Sequence, residues 1–301
     1  MDLALPAAVT IRNLSRRVLP GLMLPSRILP DWFSSEVPER SEDSGAARTF
    51  AHAIRTSKVP EVLFGFWVIK IAATTLGEVG GDALSMSLNL GYAMSTAIFF
   101  VLFAAAVTAQ IRARKFYPFL YWAVIVATTL TGTTMADFAD RSLGIGYTGG
   151  SLILFGLVIA VLVVWRFTLG SVSVNVITDP KAEAFYWATI LFSNTLGTAL
   201  GDWVADSGPG YEGGALIFAG GIAIVALVYF FTKSSRTVLF WTAFILTRPL
   251  GATLGDLLTK PLVDGGLNLS RYTSSAAIAA FMIACILLFP QRAGEHPGAK
   301  E

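Results

Sequence analysis

The sequence predicts an all-α integral membrane protein of about eight transmembrane helices, made from four parallel tandem copies of one two-helix unit. Three observations predict it. Charged residues make up only 14% of the 301-residue chain and hydrophobic residues 54%, whereas soluble domains carry about a quarter charged residues. The apolar residues fall in long blocks, such as 93–108, 150–165, 215–231 and 274–289. With its uncharged flanks each block approaches the roughly 20 residues that cross a bilayer core. The third observation is a register that recurs four times, as expected of a repeat architecture. Trp67, Trp122, Trp187 and Trp241 each lie 15 residues before an aspartate, namely Asp82, Asp137, Asp202 and Asp256.

The register has finer detail. Five residues before each aspartate is a glycine (Gly77, Gly132, Gly197, Gly251), and one residue before it a small residue (Gly81, Ala136, Gly201, Gly255). A tyrosine (Tyr92, Tyr147, Tyr211, Tyr272) then precedes the second apolar block of each unit. Each unit reads as helix, short turn, helix, which returns the chain to its starting side. The four units therefore point the same way, unlike inverted transporter repeats. The expected division is a tail at 1–57, repeats at 58–116, 117–181, 182–236 and 237–290, and a tail at 291–301. The first tail holds seven arginines, from Arg12 to Arg55, and its apolar stretch precedes its first arginines. That order is the reverse of a signal peptide, and the tail reads as disordered or lying on the membrane surface.

Orientation follows from the basic residues. Connections between units carry Arg112, Arg114, Lys115, Arg166, Lys181, Lys233 and Arg236, while the turns within units carry Arg141, Lys260 and Arg271. Both termini are expected to be cytoplasmic, with the turns within units outside. Tryptophan favours the interface, so the four indoles read as duplicated anchors near the cytoplasmic face.

Residues four apart share a helix face. Stepping back from each aspartate gives four polar stripes: Lys70, Thr74, Glu78, Asp82; Thr129, Thr133, Asp137, Arg141; Asn194, Thr198, Asp202, Asp206; and Arg248, Asp256, Lys260. Small-xxx-small pairs run beside each stripe and allow close helix packing. The first helices are expected to pack through their glycines around a polar interior, with the nearly uncharged second helices outside. Pro249 is expected to kink its helix and free backbone carbonyls. Charges inside a membrane are functional candidates by default. Helix-end capping and structural ion pairs, for example Glu78 or Asp202 with Arg248, are the bland alternatives.

The stretch KVPEVLFGFWVIKIAATTLGEVGGD at 58–82, with the fourfold Trp-x9-Gly-x4-Asp register, resembles a bacterial membrane-protein family built on a tandem two-helix repeat of unknown function. The resemblance covers roughly 58–290 and implies a multi-spanning inner-membrane protein. It implies no activity, so function rests on the residues.

Carboxylates with hydroxyl, amide and carbonyl oxygens suit hard cations. The expected function is transport of a small cation, with a divalent metal such as manganese as the leading substrate and proton coupling as a natural drive. Glu78, Asp82, Asp137, Asp202 and Asp206 are the expected metal ligands. Thr74, Thr129, Thr133, Asn194, Thr198, Lys70, Arg248 and Asp256 are the expected further substrate-binding residues, with Lys70 and Arg248 as counter-charges. A divalent cation is then bound as substrate, and no other cofactor is expected. The alternative is a binding or sensing protein holding an organic anion or lipid headgroup at Arg248 and Lys70. His52 and His296 lie outside the apolar blocks and Cys285 is the single cysteine, which argues against zinc, copper and bis-histidine haem. The absence of a nucleophile–base pair and of a phosphate-binding loop argues against an enzyme or an ATP-driven pump. A net charge of +2 gives no reason to expect nucleic acid. The expected partners are the lipid bilayer and the small cation, and a homo-oligomer is compatible with the sequence.

Overall fold

The computed structural model describes residues 58–170, 172 and 179–294. The tail expected at 1–57, with His52, and the end of the chain from 295, with His296, lie outside the described residues.

Eight long helices are present among the described residues, two per unit. They are α1 (Phe64–Asp82), α2 (Gly91–Arg112), α3 (Pro118–Asp137), α4 (Gly146–Leu169), α5 (Pro180–Asp206), α6 (Gly210–Phe231), α7 (Arg236–Thr259) and α8 (Arg271–Leu288). Six of them are long and apolar enough to cross a membrane: α2, α3, α4, α6, α7 and α8. The exceptions, α1 and α5, begin the first and third units and carry Lys70, Glu78 and Asp82, and Lys181, Glu183, Asp202 and Asp206. Those charges lower the hydropathy of helices that nonetheless occupy the middle of the structure.

The local chemistry explains the ends. Pro118 and Pro180 open α3 and α5 in the first turn, where a missing amide costs nothing. α1 and α3 each pass after their aspartate into one wide π-helical turn, Ala83–Ser87 and Phe138–Ser142. Gly91, Gly146 and Gly210 start the second helices of the first three units at φ of 73°, 73° and 69°, a region that glycine enters without penalty. The fourth unit uses a longer connection with a short 3₁₀ turn, Leu262–Asp264. Pro249 lies inside α7, which continues to Thr259. Thr253 Oγ1 donates to Pro249 O at 3.0 Å.

The odd-numbered helices form a closed ring in which α1 packs on α3, α3 on α5, α5 on α7 and α7 on α1. The even-numbered helices pack outside, each on the first helix of the following unit: α2 on α3, α4 on α5, α6 on α7, and α8 back on α1. The outer helices expose large apolar side chains, including Phe100, Leu102, Leu152, Phe155, Leu216, Phe230, Phe281 and Leu287. The ring is completed at the chain ends, where Pro60 forms an antiparallel bridge with Ala293 and Glu61 N donates to Arg292 O at 2.9 Å.

Two cyclic contacts hold the ring. Near the tryptophan end, the aromatic residue preceding each tryptophan packs on the tryptophan of the next unit. Ring centroids lie 5.5 Å apart for Phe66–Trp122, 5.8 Å for Tyr121–Trp187, 6.3 Å for Tyr186–Trp241 and 5.7 Å for Phe240–Trp67. Trp122 and Trp187 are buried. Besides any place at a membrane interface, the indoles thus pack between the helices of the ring. In the middle, the residue eight before each aspartate docks over the glycine of the preceding unit. Thr129 covers Gly77, Asn194 covers Gly132, Arg248 covers Gly197 and Thr74 covers Gly251. A Cβ at Gly77 would lie 2.4 Å from Thr129 Cβ, so only glycine allows this approach.

Candidate cation site

The ring turns the four polar stripes inward as stacked rungs. From the aromatic belt outward, the rungs hold Lys70 with Ile125, Ile190 and Phe244, then Thr74, Thr129, Asn194 and Arg248. Next come Glu78, Thr133, Thr198 and Ala252, then Asp82, Asp137, Asp202 and Asp256, and last Met86, Arg141, Asp206 and Lys260. Lys70, Glu78, Asp82, Asp137, Asp202, Arg248 and Asp256 are all buried.

The second rung mostly serves packing. Thr74 Oγ1 donates to Thr247 O at 3.1 Å and Thr129 Oγ1 to Ala73 O at 3.2 Å, each across a helix crossing. Asn194 Nδ2 donates to Thr128 Oγ1 at 2.9 Å. Each of these three expected ligand residues thus makes a hydrogen bond between helices. Arg248, on the same rung, reaches all three other units. It donates to Glu78 Oε2 from both terminal nitrogens at 3.3 Å, to Thr133 Oγ1 at 2.5 Å, and to Thr198 Oγ1. Thr133 Oγ1 also donates to Glu78 Oε2 at 3.2 Å. The expected Glu78–Arg248 pair is present. Asp202 pairs with Arg141 instead of Arg248.

The aspartate rung is bridged by two cations from the last rung. Lys260 Nζ lies 3.0 Å from Asp82 Oδ2 and 3.1 Å from Asp256 Oδ1. Arg141 lies 3.0 Å from Asp137 Oδ1 and 3.1 Å from Asp202 Oδ2. Each cation joins its own helix, one turn back, to the next helix of the ring. Arg271 approaches Asp82 Oδ2 at 3.5 Å. The three basic residues that interrupted the charge asymmetry of the sequence are thus the partners of the aspartates. Burial disfavours the Lys260 ammonium, but Asp256 and Asp82 outweigh it and raise its pKa above the ordinary lysine value. Helix capping does not describe the aspartates. Asp82 and Asp137 make no side-chain cap bond, and α5 and α7 continue beyond Asp202 and Asp256.

The carboxylates form two clusters that share Glu78. Glu78, Asp202 and Asp256 each offer an oxygen within 4.8 Å of the others, and so do Glu78, Asp82 and Asp137. Asp82 Oδ1 and Asp202 Oδ1 are buried without a hydrogen-bond partner. Such spacing suits oxygen ligation of one hard cation per cluster. Four of the five expected metal ligands come together in this way. Asp206 does not: it lies on the wall of the cavity above, near Tyr147. Asp256, expected as a general substrate contact, joins a cluster. The cavity has a volume of about 440 Å³ and is lined by Arg141, Asp202, Asp206, Asp256, Lys260 and Arg271, with Tyr147 and Tyr211 among others. Arg141, Lys260 and Arg271 were not expected as site residues. The signal for the first two was their place four residues after an aspartate; no local pattern marked Arg271.

The described chain is thus an all-helical protein with six helices apolar enough to cross a membrane and buried acidic clusters at its centre. Searches of curated proteins and of solved structures find no match. A family described as "Repeat of Unknown Function (DUF347)" matches the chain four times, at residues 65–116, 120–170, 185–235 and 239–292. These four matches span most of the described residues, and the chain belongs to this tandem-repeat family.

Proposed function

We propose that the protein is a multi-pass transporter of a small hard cation, with all eight helices crossing the inner membrane and both termini cytoplasmic. The observation that carries this reading is the pair of buried carboxylate clusters sharing Glu78, directly below a polar cavity. Buried carboxylates are costly unless paired or ligating. Two of their oxygens have no partner, and a bound cation supplies one.

In this reading the cation enters from the cavity on the side of the turns within units. Glu78 with Asp82 and Asp137, or Glu78 with Asp202 and Asp256, provides anionic oxygens. Lys260 and Arg141 act as built-in counter-charges that hold the acids when no substrate is bound and swing toward the cavity when it arrives. Thr133 and Thr198 orient Arg248, which holds Glu78. In this reading the aromatic belt is the barrier at the far end. The cycle involves no catalytic step. The clusters are hard-oxygen sites without sulfur or imidazole, which favours manganese or magnesium over zinc or copper. The organic-anion alternative is less well supported, because the terminal nitrogens of Arg248 are already donated to Glu78, Thr133 and Thr198.

The test is flux in proteoliposomes. Manganese uptake by the wild type, with little uptake by an Asp137→Asn/Asp202→Asn double variant that still purifies as a folded protein, is the expected result. Equal flux through both proteins, or none through either under any cation gradient, would overturn the reading.

A further inference from the structure

One buried lysine lies apart from the carboxylate clusters. Lys70 is fully buried, and its Nζ has no hydrogen-bond partner. Its Nζ lies over the face of the Phe244 ring, 4.1 Å from the centroid. No carboxylate among the described residues forms an ion pair with it. Phe244 lies one turn before Arg248 on the same helix, so this contact sets the Lys70 ammonium beside the Arg248 rung. Arg248 is itself only partly satisfied. Its terminal nitrogens serve Glu78, Thr133 and Thr198, while its Nε is buried without a partner. Two neighbouring helices of the ring thus bring two unpartnered cationic donors to adjacent rungs, with one carboxylate, Glu78, between them and the cavity.

We propose that Lys70 Nζ and Arg248 Nε bind a small monovalent inorganic anion of the halide type. Burying an ammonium without a counter-charge is costly, and a cation–π contact offsets only part of that cost. An anion between the two groups supplies the missing hydrogen-bond acceptor to both. The setting selects the class of anion. Ile125, Ile190 and Phe244 share the Lys70 rung and are buried, so the surroundings offer apolar walls and few donors. Phosphate, sulfate and carboxylates need several donors for their oxygens, whereas a halide needs few and loses its hydration more readily.

The site is separate from the carboxylate clusters. It belongs to the Lys70 side of Arg248, and the clusters to the Glu78 side. The inference therefore stands whether or not the protein carries divalent cations.

The experiment uses the full chain, purified in detergent without divalent cations. Thermal unfolding is followed while chloride or bromide replaces gluconate at constant ionic strength and pH. The expected result is a saturable upward shift with halide that Lys70→Met abolishes. The shift is expected to persist in Asp137→Asn, which removes a cluster ligand. A bromide anomalous peak within hydrogen-bonding reach of Lys70 Nζ and Arg248 Nε is the independent readout, should Lys70→Met fail to fold. No halide dependence in the wild type, a shift of equal size in Lys70→Met, or a bromide-soaked crystal without that peak would each overturn the proposal.

Discussion

Lys260→Met gives the sharpest test of how the aspartate rung is held. The ammonium stands 3.0 Å from Asp82 and 3.1 Å from Asp256, and its side chain is 9% exposed. Methionine keeps most of the volume and removes the charge. Asp82 then retains only Arg271 at 3.5 Å, and Asp256 loses its one ion-pair partner among the described residues. Removing one partner of a buried pair costs about 3–5 kcal/mol. At about 2–4 °C per kcal/mol for a protein of this size, the unfolding midpoint is expected to fall by roughly 6–20 °C. A structural account and the cation account agree up to this point. They part when manganese is added. The variant presents Asp256, Asp202 and Glu78 with one fewer competing cation, so it is expected to bind manganese more tightly than the wild type. At 100 times the dissociation constant, the ion restores about 2.7 kcal/mol, recovering much of the loss. The assay is thermal unfolding across a manganese titration, with Lys260→Arg as the charge-retaining control and calorimetry for the dissociation constant. If Lys260→Met is destabilised but manganese stabilises it no more than it does the wild type, the carboxylates serve as ion-pair partners only.

Other outcomes follow from the ring. Gly77→Ala is expected to cost about 1–3 kcal/mol by overpacking, because its Cβ would sit 2.4 Å from Thr129 Cβ. Gly156→Ala, with open space around it on α4, is expected to be neutral or slightly stabilising in the same unfolding assay. At the opposite end, Lys58 Nζ lies 2.5 Å from Glu183 Oε2 with both groups buried. Lys58→Met and Glu183→Gln are each expected to destabilise by about 3–5 kcal/mol, and the double variant by clearly less than their sum in a double-mutant cycle. For orientation, a cysteine replacing the exposed Asp264 in a Cys285→Ser background is expected to react with an impermeant maleimide from outside intact cells. One replacing Lys233 is expected to react only after permeabilisation, and the reverse pattern would invert the proposed topology.

Much of this protein is set locally and can be read in the chain. The apolar blocks, the prolines that open α3 and α5, and the fourfold Trp–Gly–Asp register depend on residues within one turn or one helix of each other. So does the 3.6-residue periodicity that puts Glu78 and Asp82, or Asp137 and Arg141, on one face. What tertiary structure alone decided is which unit stands beside which, and on which rung each side chain meets its neighbour. Closing the ring docks Arg248 over Gly197 and brings it to Glu78, a residue 170 positions away. It gives Asp202 to Arg141 and not to Arg248, sets Asp256 within a cluster, and leaves Asp206 on the cavity wall. The tryptophans show the same division. Their spacing was plain in the sequence, but an indole that favours a membrane interface looks there the same as one packed against a neighbour. Only the offset of each helix against the next made them a closed belt. Helical periodicity fixes the face of a side chain; the docking of glycine-lined surfaces between helices distant in sequence fixes its partner.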